Sequence, residues 1–163
     1  MWFDARSLDV GFTDTSPFHI LNEIEIEAPP ARIFDLFATG EGQEEWFQDF
    51  VSVDWTSGEP HGVGSERVVE LKMLSVKERF VIWERGKRLT FCIYAITLPL
   101  VHAMMEDLQF EPTKRGGTRF VWRVHYDPRL LLRAVHPVGR AVFGRLFKKS
   151  QLGLKKYAEA HPA

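Results

Sequence analysis

Thr118-Arg119-Phe120-Val121-Trp122-Arg123-Val124-His125-Tyr126, together with the residues that follow to Tyr157, decides the architecture. In the first stretch Phe120, Trp122, Val124 and Tyr126 share one side of an extended chain. Arg119, Val121, Arg123 and His125 take the other, so the period is two and the element is a strand. Past Pro128 the period lengthens. Leu131, Leu132, Val135, Val138, Val142, Phe143, Leu146, Ser150 and Tyr157 gather on one stripe at helical spacing, opposite Arg133, Arg140, Lys148 and Lys155. Pro137 cannot sit comfortably within a continuous helix. Either the helix kinks there or residues 129–136 make a separate turn and Pro137 opens the long helix; the second arrangement is preferred. One long amphipathic helix at the end of a chain of strands must cover a sheet.

Working back toward the N-terminus, the strands follow one another through short connections. His102 to Phe110, Leu89 to Ala95, Glu78 to Glu84, Ser65 to Met73 and Val51 to Trp55 read as strands, with a hairpin across Arg85-Gly86-Lys87-Arg88. Phe18 to Glu27 alternates as well and stops at Ala28-Pro29-Pro30. Ile33, Phe34, Phe37 and Ala38 then give a helix one apolar face, and Gly40 and Gly42 break it before a second short turn over Glu44 to Phe47. Short connections imply antiparallel pairing. The expected fold is α+β: a curved antiparallel sheet of six or seven strands wrapped around a long C-terminal helix, with one or two short helices after the first strand. Residues 1–17 read as an irregular N-terminal arm, and 18–160 as a single domain.

In this order the chain resembles the helix-grip proteins, the superfamily that collects START-like, birch-pollen-allergen-like and polyketide cyclase/dehydrase proteins (SRPBCC). Glu23-Ile24-Glu25-Ile26-Glu27-Ala28-Pro29-Pro30-Ala31-Arg32-Ile33-Phe34-Asp35-Leu36-Phe37 is similar to that family's first strand and helix. Glu45-Trp46-Phe47 before Val51, Gly62-Val63-Gly64-Ser65, and Gly116-Gly117-Thr118-Arg119-Phe120-Val121-Trp122 resemble its later turns. The resemblance implies an apolar cavity between sheet and helix. It does not imply one function, because the family spans cyclases, hydrolases, lipid carriers and stress proteins.

Given such a cavity, the inward stripes supply its lining. From the strands come Val69, Leu71, Phe80, Ile82, Phe91 and Ile93, then Met104, Leu108, Phe110, Trp122 and Val124, with Met73 on the same parity. From the C-terminal segment come Leu132, Val135, Val142, Phe143 and Leu146, and Trp46 and Phe47 belong at the mouth. The competing reading of each is ordinary core packing. Four polar residues are candidates for proton chemistry. Glu106 shares parity with Met104 and Leu108; Arg67 shares it with Val69; Tyr126 extends the Trp122 stripe; His102 lies four residues before Glu106. Glu84 has the parity of Phe80 and Ile82, which makes Arg67 a possible partner for either Glu84 or Glu106. A carboxylate facing an apolar cavity must pair or hold its proton. The alternative is that these groups lie at strand ends and reach water.

Composition excludes several classes. The chain has 163 residues, 45% hydrophobic and 26% charged, which is ordinary for one globular domain. Cys92 is the lone cysteine, so no disulfide framework exists. Neither metal-ligand spacing nor a phosphate-binding or dinucleotide glycine motif occurs, so no metal and no cofactor are expected. No apolar run is long enough to span a bilayer, and Met1-Trp2-Phe3-Asp4-Ala5-Arg6 lacks the features of a secretory signal, so a cytoplasmic protein is expected. Aromatic content is high, at 13 Phe, 5 Trp and 3 Tyr. Charge is uneven: residues 128–157 carry eight Lys and Arg and no acid, on a body whose net charge is negative. That segment is either a solvated helix face or a contact for an anionic membrane surface; the acidic body argues against nucleic acid. Three functions are therefore open: binding or transport of a small hydrophobic molecule, a cofactor-independent cyclase or dehydratase, and membrane or partner association through the basic helix. Oligomeric state is not legible.

Overall fold

The computed structural model describes residues 1–162. The element order is β1 (Phe3–Asp4), α1 (Phe12–Thr15), β2 (Phe18–Ile26), α2 (Pro30–Thr39), α3 (Gln43–Trp46), β3 (Phe50–Trp55), β4 (Glu66–Leu71), β5 (Ser75–Glu84), β6 (Arg88–Ile96), β7 (Val101–Pro112), β8 (Thr118–Pro128), α4 (Leu130–Ala134) and α5 (His136–Ala160). Strands β3 to β8 form an antiparallel meander, and β2 closes the series beside β8, giving the order β2-β8-β7-β6-β5-β4-β3. This is the helix-grip arrangement, with α5 laid across the sheet between β2 and α3. Pro137 stands in the first turn of α5 and α4 is separate, as the backbone limits of proline require. Among the described residues no helix is long and apolar enough to cross a membrane.

Alternation holds over most of each strand but breaks at four register shifts, where an inserted residue flips every side chain beyond it; one falls on β3 between Phe50 and Ser52, and the other three bear on the site. One lies between Phe80 and Ile82. Beyond it Trp83, not Ile82, packs into the core, against Phe34 and Phe80. Glu84 is exposed at the strand end. A second falls where Lys77 pairs with Ala95 but Glu78 with Ile93, which brings Ile96 inward. The third lies between Val101 and Ala103 and leaves His102 exposed while Val101 turns in.

Residues 1–17 are less irregular than their sequence suggests. Strands β6 and β7 pair only as far as Ile93 and Met104 and then diverge. The arm enters that gap: Phe3 and Asp4 pair with β6, Ala5 N–H donates to the Tyr94 carbonyl at 2.9 Å, and Arg6 N–H to that of His102 at 2.8 Å. Leu8 and Phe12 then cover Cys92, Ala103 and Met105 on the outer face of the sheet. The thiol is thus buried away from the cavity.

Helix α5 is anchored by its second half. Phe147, Ser150, Gln151, Leu154 and Ala158 are buried on one face. Gly153 permits the approach to α3, since a Cβ there would stand 2.4 Å from the Trp46 carbonyl oxygen. The apolar stripe expected over the whole C-terminal segment is rotated from this face. Leu131, Val135, Val138 and Val142 are exposed.

Candidate functional site

Between the sheet, α3 and the first half of α5 lies a cavity of about 330 Å³. Its walls are mostly aliphatic: Val69 and Leu71 from β4, Val76 from β5, Ile93 and Ile96 from β6, Met104 from β7, and Val142, Phe143 and Leu146 from α5. Phe91 and Trp122 form part of the floor, and Phe47 joins the wall from α3. Met73 and Leu98, on the turns between β4 and β5 and between β6 and β7, belong to the lining although exposed, so the mouth is at this end.

The remaining predicted residues do not reach this space, for identifiable reasons. Phe80, Leu108 and Phe110 face inward, but other side chains cover this end of the sheet: α2 packs on β7, and Phe80 lies among rings of the neighbouring strands. Phe110 packs edge-on to Phe34 at 5.7 Å, and Phe80 lies 5.4 Å from Phe91 and 5.6 Å from Trp55. The aromatic excess therefore packs one end of the molecule solid and leaves the aliphatic end hollow. Trp46 is buried, its indole N–H donating to the Glu41 carbonyl at 3.0 Å. Ile82 is turned outward by the bulge before it, and Val135 is exposed between α4 and α5. Val124, Leu132 and Tyr126 border a small separate pocket of about 20 Å³. There the Tyr126 hydroxyl and His136 Nε2 are 2.8 Å apart, and burial pushes the phenol's pKa up.

Of the four polar candidates, Arg67 and Glu106 enter the cavity; His102 and Tyr126 do not. Arg67, on β4, stands opposite Glu78, on β5, in the sheet register. Its Nε donates to Glu78 at 2.6 Å and its Nη1 to the Phe37 carbonyl at 2.9 Å, with the guanidinium 4.9 Å from the Phe80 ring centroid. Both charges are nearly inaccessible, at 2% and 6% side-chain exposure, so neither tolerates loss of the other. Glu78 escaped the sequence reading, although it has the parity of Phe80 with no bulge between them. Glu84, which shares that parity by count, lies across the bulge.

Among the described residues Glu106 has no cationic partner. One of its oxygens accepts the Trp122 indole N–H at 2.8 Å. Burial is the largest influence on its pKa, followed by the negative charge of Glu78; the Trp122 hydrogen bond and the Arg67 charge pull the other way without prevailing. The result is a carboxyl pushed up to about 8. Near neutrality Glu106 is a protonated acid in an apolar chamber, able to donate a hydrogen bond or a proton. Gln43, also missed, lines the wall, and Asp49 lines it where Lys72 pairs with it at 3.5 Å. The chamber thus offers an oily body with a few placed polar groups, the neutral Glu106 carboxyl, the Gln43 amide and the paired charges of Arg67–Glu78 and Asp49–Lys72, the usual form of a small-molecule site.

The outer face of the sheet carries a second buried polar group that is structural. Asp107 accepts from Arg88 and Thr90, each at 2.7 Å, and from Gln109 at 3.0 Å. Burial pushes its pKa up, but these bonds outweigh it and the carboxyl stays below its ordinary value.

The family model described as polyketide cyclase/dehydrase and lipid transport matches residues 17–159. An uncharacterised protein of Mycobacterium tuberculosis is 26% identical over 159 residues, spanning 97% of this chain and 95% of its own. Among solved structures, TTHA0849 from Thermus thermophilus superposes with a TM-score of 0.71 at 18% identity, covering 88% of this chain and 98% of that one. Major latex-like protein 151 of Panax ginseng gives a TM-score of 0.66 at 14% identity over 88% and 96% of the two chains. At such identities these structures speak for the fold alone.

Proposed function

The chain belongs to the polyketide cyclase/dehydrase and lipid transport family, and we propose that it binds and carries a small hydrophobic molecule in the chamber beneath α5. The observation behind this reading is the chamber of about 330 Å³ with an aliphatic wall, in a protein whose rings are otherwise close-packed. An empty apolar space of that size forfeits packing, a loss that an apolar occupant makes good. A lining that runs from Phe37 to Phe147 supports reading residues 18–160 as one domain. The ligand's body is aliphatic or ring-containing and uncharged, and an oxygen on it accepts from Glu106. Arg67, already held by Glu78 and the Phe37 carbonyl, is not a free counter-ion for an acid.

Native mass spectrometry before and after organic extraction tests this reading. A discrete mass that leaves on extraction, or one-to-one uptake of the neutral probe N-phenyl-1-naphthylamine by extracted protein, supports it. Protein that carries nothing and takes up no probe contradicts it.

A second reading, a cofactor-independent cyclase or dehydratase, is favoured by one observation: Glu106 and Arg67 converge on the same chamber. A neutral carboxyl with a pKa near the working pH suits a general acid, and the chamber would hold a reactive chain in one fold. Incubation with a poly-β-ketone thioester distinguishes the two. Product formed by the wild type and lost in Glu106→Gln supports catalysis; products identical to those in buffer leave the carrier reading alone.

A further inference from the structure

The basic C-terminal segment is not absorbed by the chamber. On α5, Val138, Val142, Arg145 and Lys149 recur at intervals of four, three and four, so they form one stripe, away from the buried face of Phe147, Leu154 and Ala158. All four are exposed, Val138 at 67%. On α4, Leu130 is exposed at 81% and Leu131 at 64%, with Arg133 beside them also exposed. Val142 belongs both to this stripe and to the chamber lining, and Met73, 79% exposed, and Leu98 join that lining from two sheet turns. Apolar side chains from three segments therefore ring the mouth.

Among the described residues Arg133, Arg145 and Lys149 form no ion pair. Acids are absent from position 128 through 158. Asp49, in the chamber lining, is paired with Lys72. Arg129 is committed elsewhere, to the carbonyls of Val101 and Asp4.

We propose that this face docks on an anionic lipid bilayer, with the valines and leucines in the headgroup–acyl boundary and Arg133, Arg145 and Lys149 among the headgroups. Exposed apolar side chains flanked by unpaired cations are the composition of an interfacial helix. A second copy of the chain is a poorer occupant, because a symmetric contact would set the same cations against each other. Docking there presses the mouth of the chamber against hydrocarbon, so a ligand passes between protein and membrane without crossing water. The surface stands on its own observations and does not depend on what the chamber holds.

The test is vesicle co-sedimentation with the full chain. Vesicles of phosphatidylcholine alone are compared with a roughly 3:1 mixture of phosphatidylcholine and phosphatidylserine, in which each basic residue near the surface contributes about fivefold to partitioning. The wild type pellets with the mixed vesicles and is released by salt. Arg145→Gln combined with Lys149→Gln weakens binding by roughly 25-fold. Val138→Glu, a change at a solvent-facing position that leaves the fold intact, weakens it as well. Lys114→Gln, on the distant β7–β8 turn, leaves binding unchanged. Equal partitioning to both vesicles, no partitioning, wild-type binding by both stripe variants, or a soluble dimer that hides Val138 overturns the proposal. Uptake of N-phenyl-1-naphthylamine by the same protein is read in parallel, so failure of the docking face is told apart from failure of the chamber.

Discussion

Glu106→Gln makes the protein more stable at high pH, by an amount that grows as the solution becomes more alkaline. In the unfolded chain this carboxyl ionises near 4.5, whereas in the native chamber it keeps its proton to about 8. Between those values the native state binds more protons than the unfolded state, so unfolding releases one. The free energy of unfolding therefore falls as pH rises, by up to about 1.4 kcal/mol per unit, and levels off once the native group has ionised. Over the interval between 4.5 and about 8 the loss approaches roughly 5 kcal/mol, a sizeable part of a domain's stability. Glutamine keeps an oxygen for the Trp122 N–H and a donor toward the chamber but cannot ionise. Urea unfolding of both proteins at steps from about pH 5 to about pH 8 measures the effect. The curves converge at the acid end, and the variant leads by several kcal/mol at the alkaline end. Curves that stay parallel across the range refute the burial of Glu106 as a neutral acid.

Other outcomes follow from single contacts. Arg67→Met leaves Glu78 buried without its cation and lowers stability by about 3–5 kcal/mol in urea unfolding, while adding Glu78→Leu restores much of it. Gly153→Ala destabilises by about 1–3 kcal/mol despite alanine's better helix propensity, because its Cβ meets the Trp46 carbonyl; a stabilised variant in thermal unfolding contradicts the α3–α5 packing. Phe12→Ala costs about 3 kcal/mol and opens the outer face, so Cys92 reacts faster with a thiol reagent; an unchanged rate places the arm elsewhere.

The fold was legible because two periodicities carry it. Phe120, Trp122 and Val124 alternate without interruption, and the change to helical spacing beyond Pro128 marks the last element. On the strands, lining residues were legible only where that alternation runs unbroken, as at Val69, Phe91, Ile93, Met104 and Trp122. Bulges have no reliable signature in one sequence, so parity alone puts Ile82 and His102 on the wrong face and leaves Trp83 and Ile96 out of the inward set. A second gap concerns coverage. Parity says that Leu108 and Phe110 point inward, but not that α2 packs on β7, which depends on a contact between distant segments. The same limit applies to the long helix. Its apolar positions nearly encircle its first turns, and only the packed structure shows that Val138 and Val142 lie off the buried face. Glu78 was within reach: it faces Arg67 across β4 and β5, and unbroken alternation from Phe80 leads to it.

The proposed carrier role requires that the space beneath α5 be a binding chamber and not unfilled core. Titration of extracted protein with N-phenyl-1-naphthylamine, in the wild type and in Val69→Trp, tests it most directly. Val69 is buried in the chamber wall, and the larger ring occupies space the probe needs. The account predicts saturable, one-to-one fluorescence enhancement in the wild type and its loss in the variant, with the variant still folded by circular dichroism. Enhancement of equal strength in both proteins would place the probe on the surface and contradict the chamber.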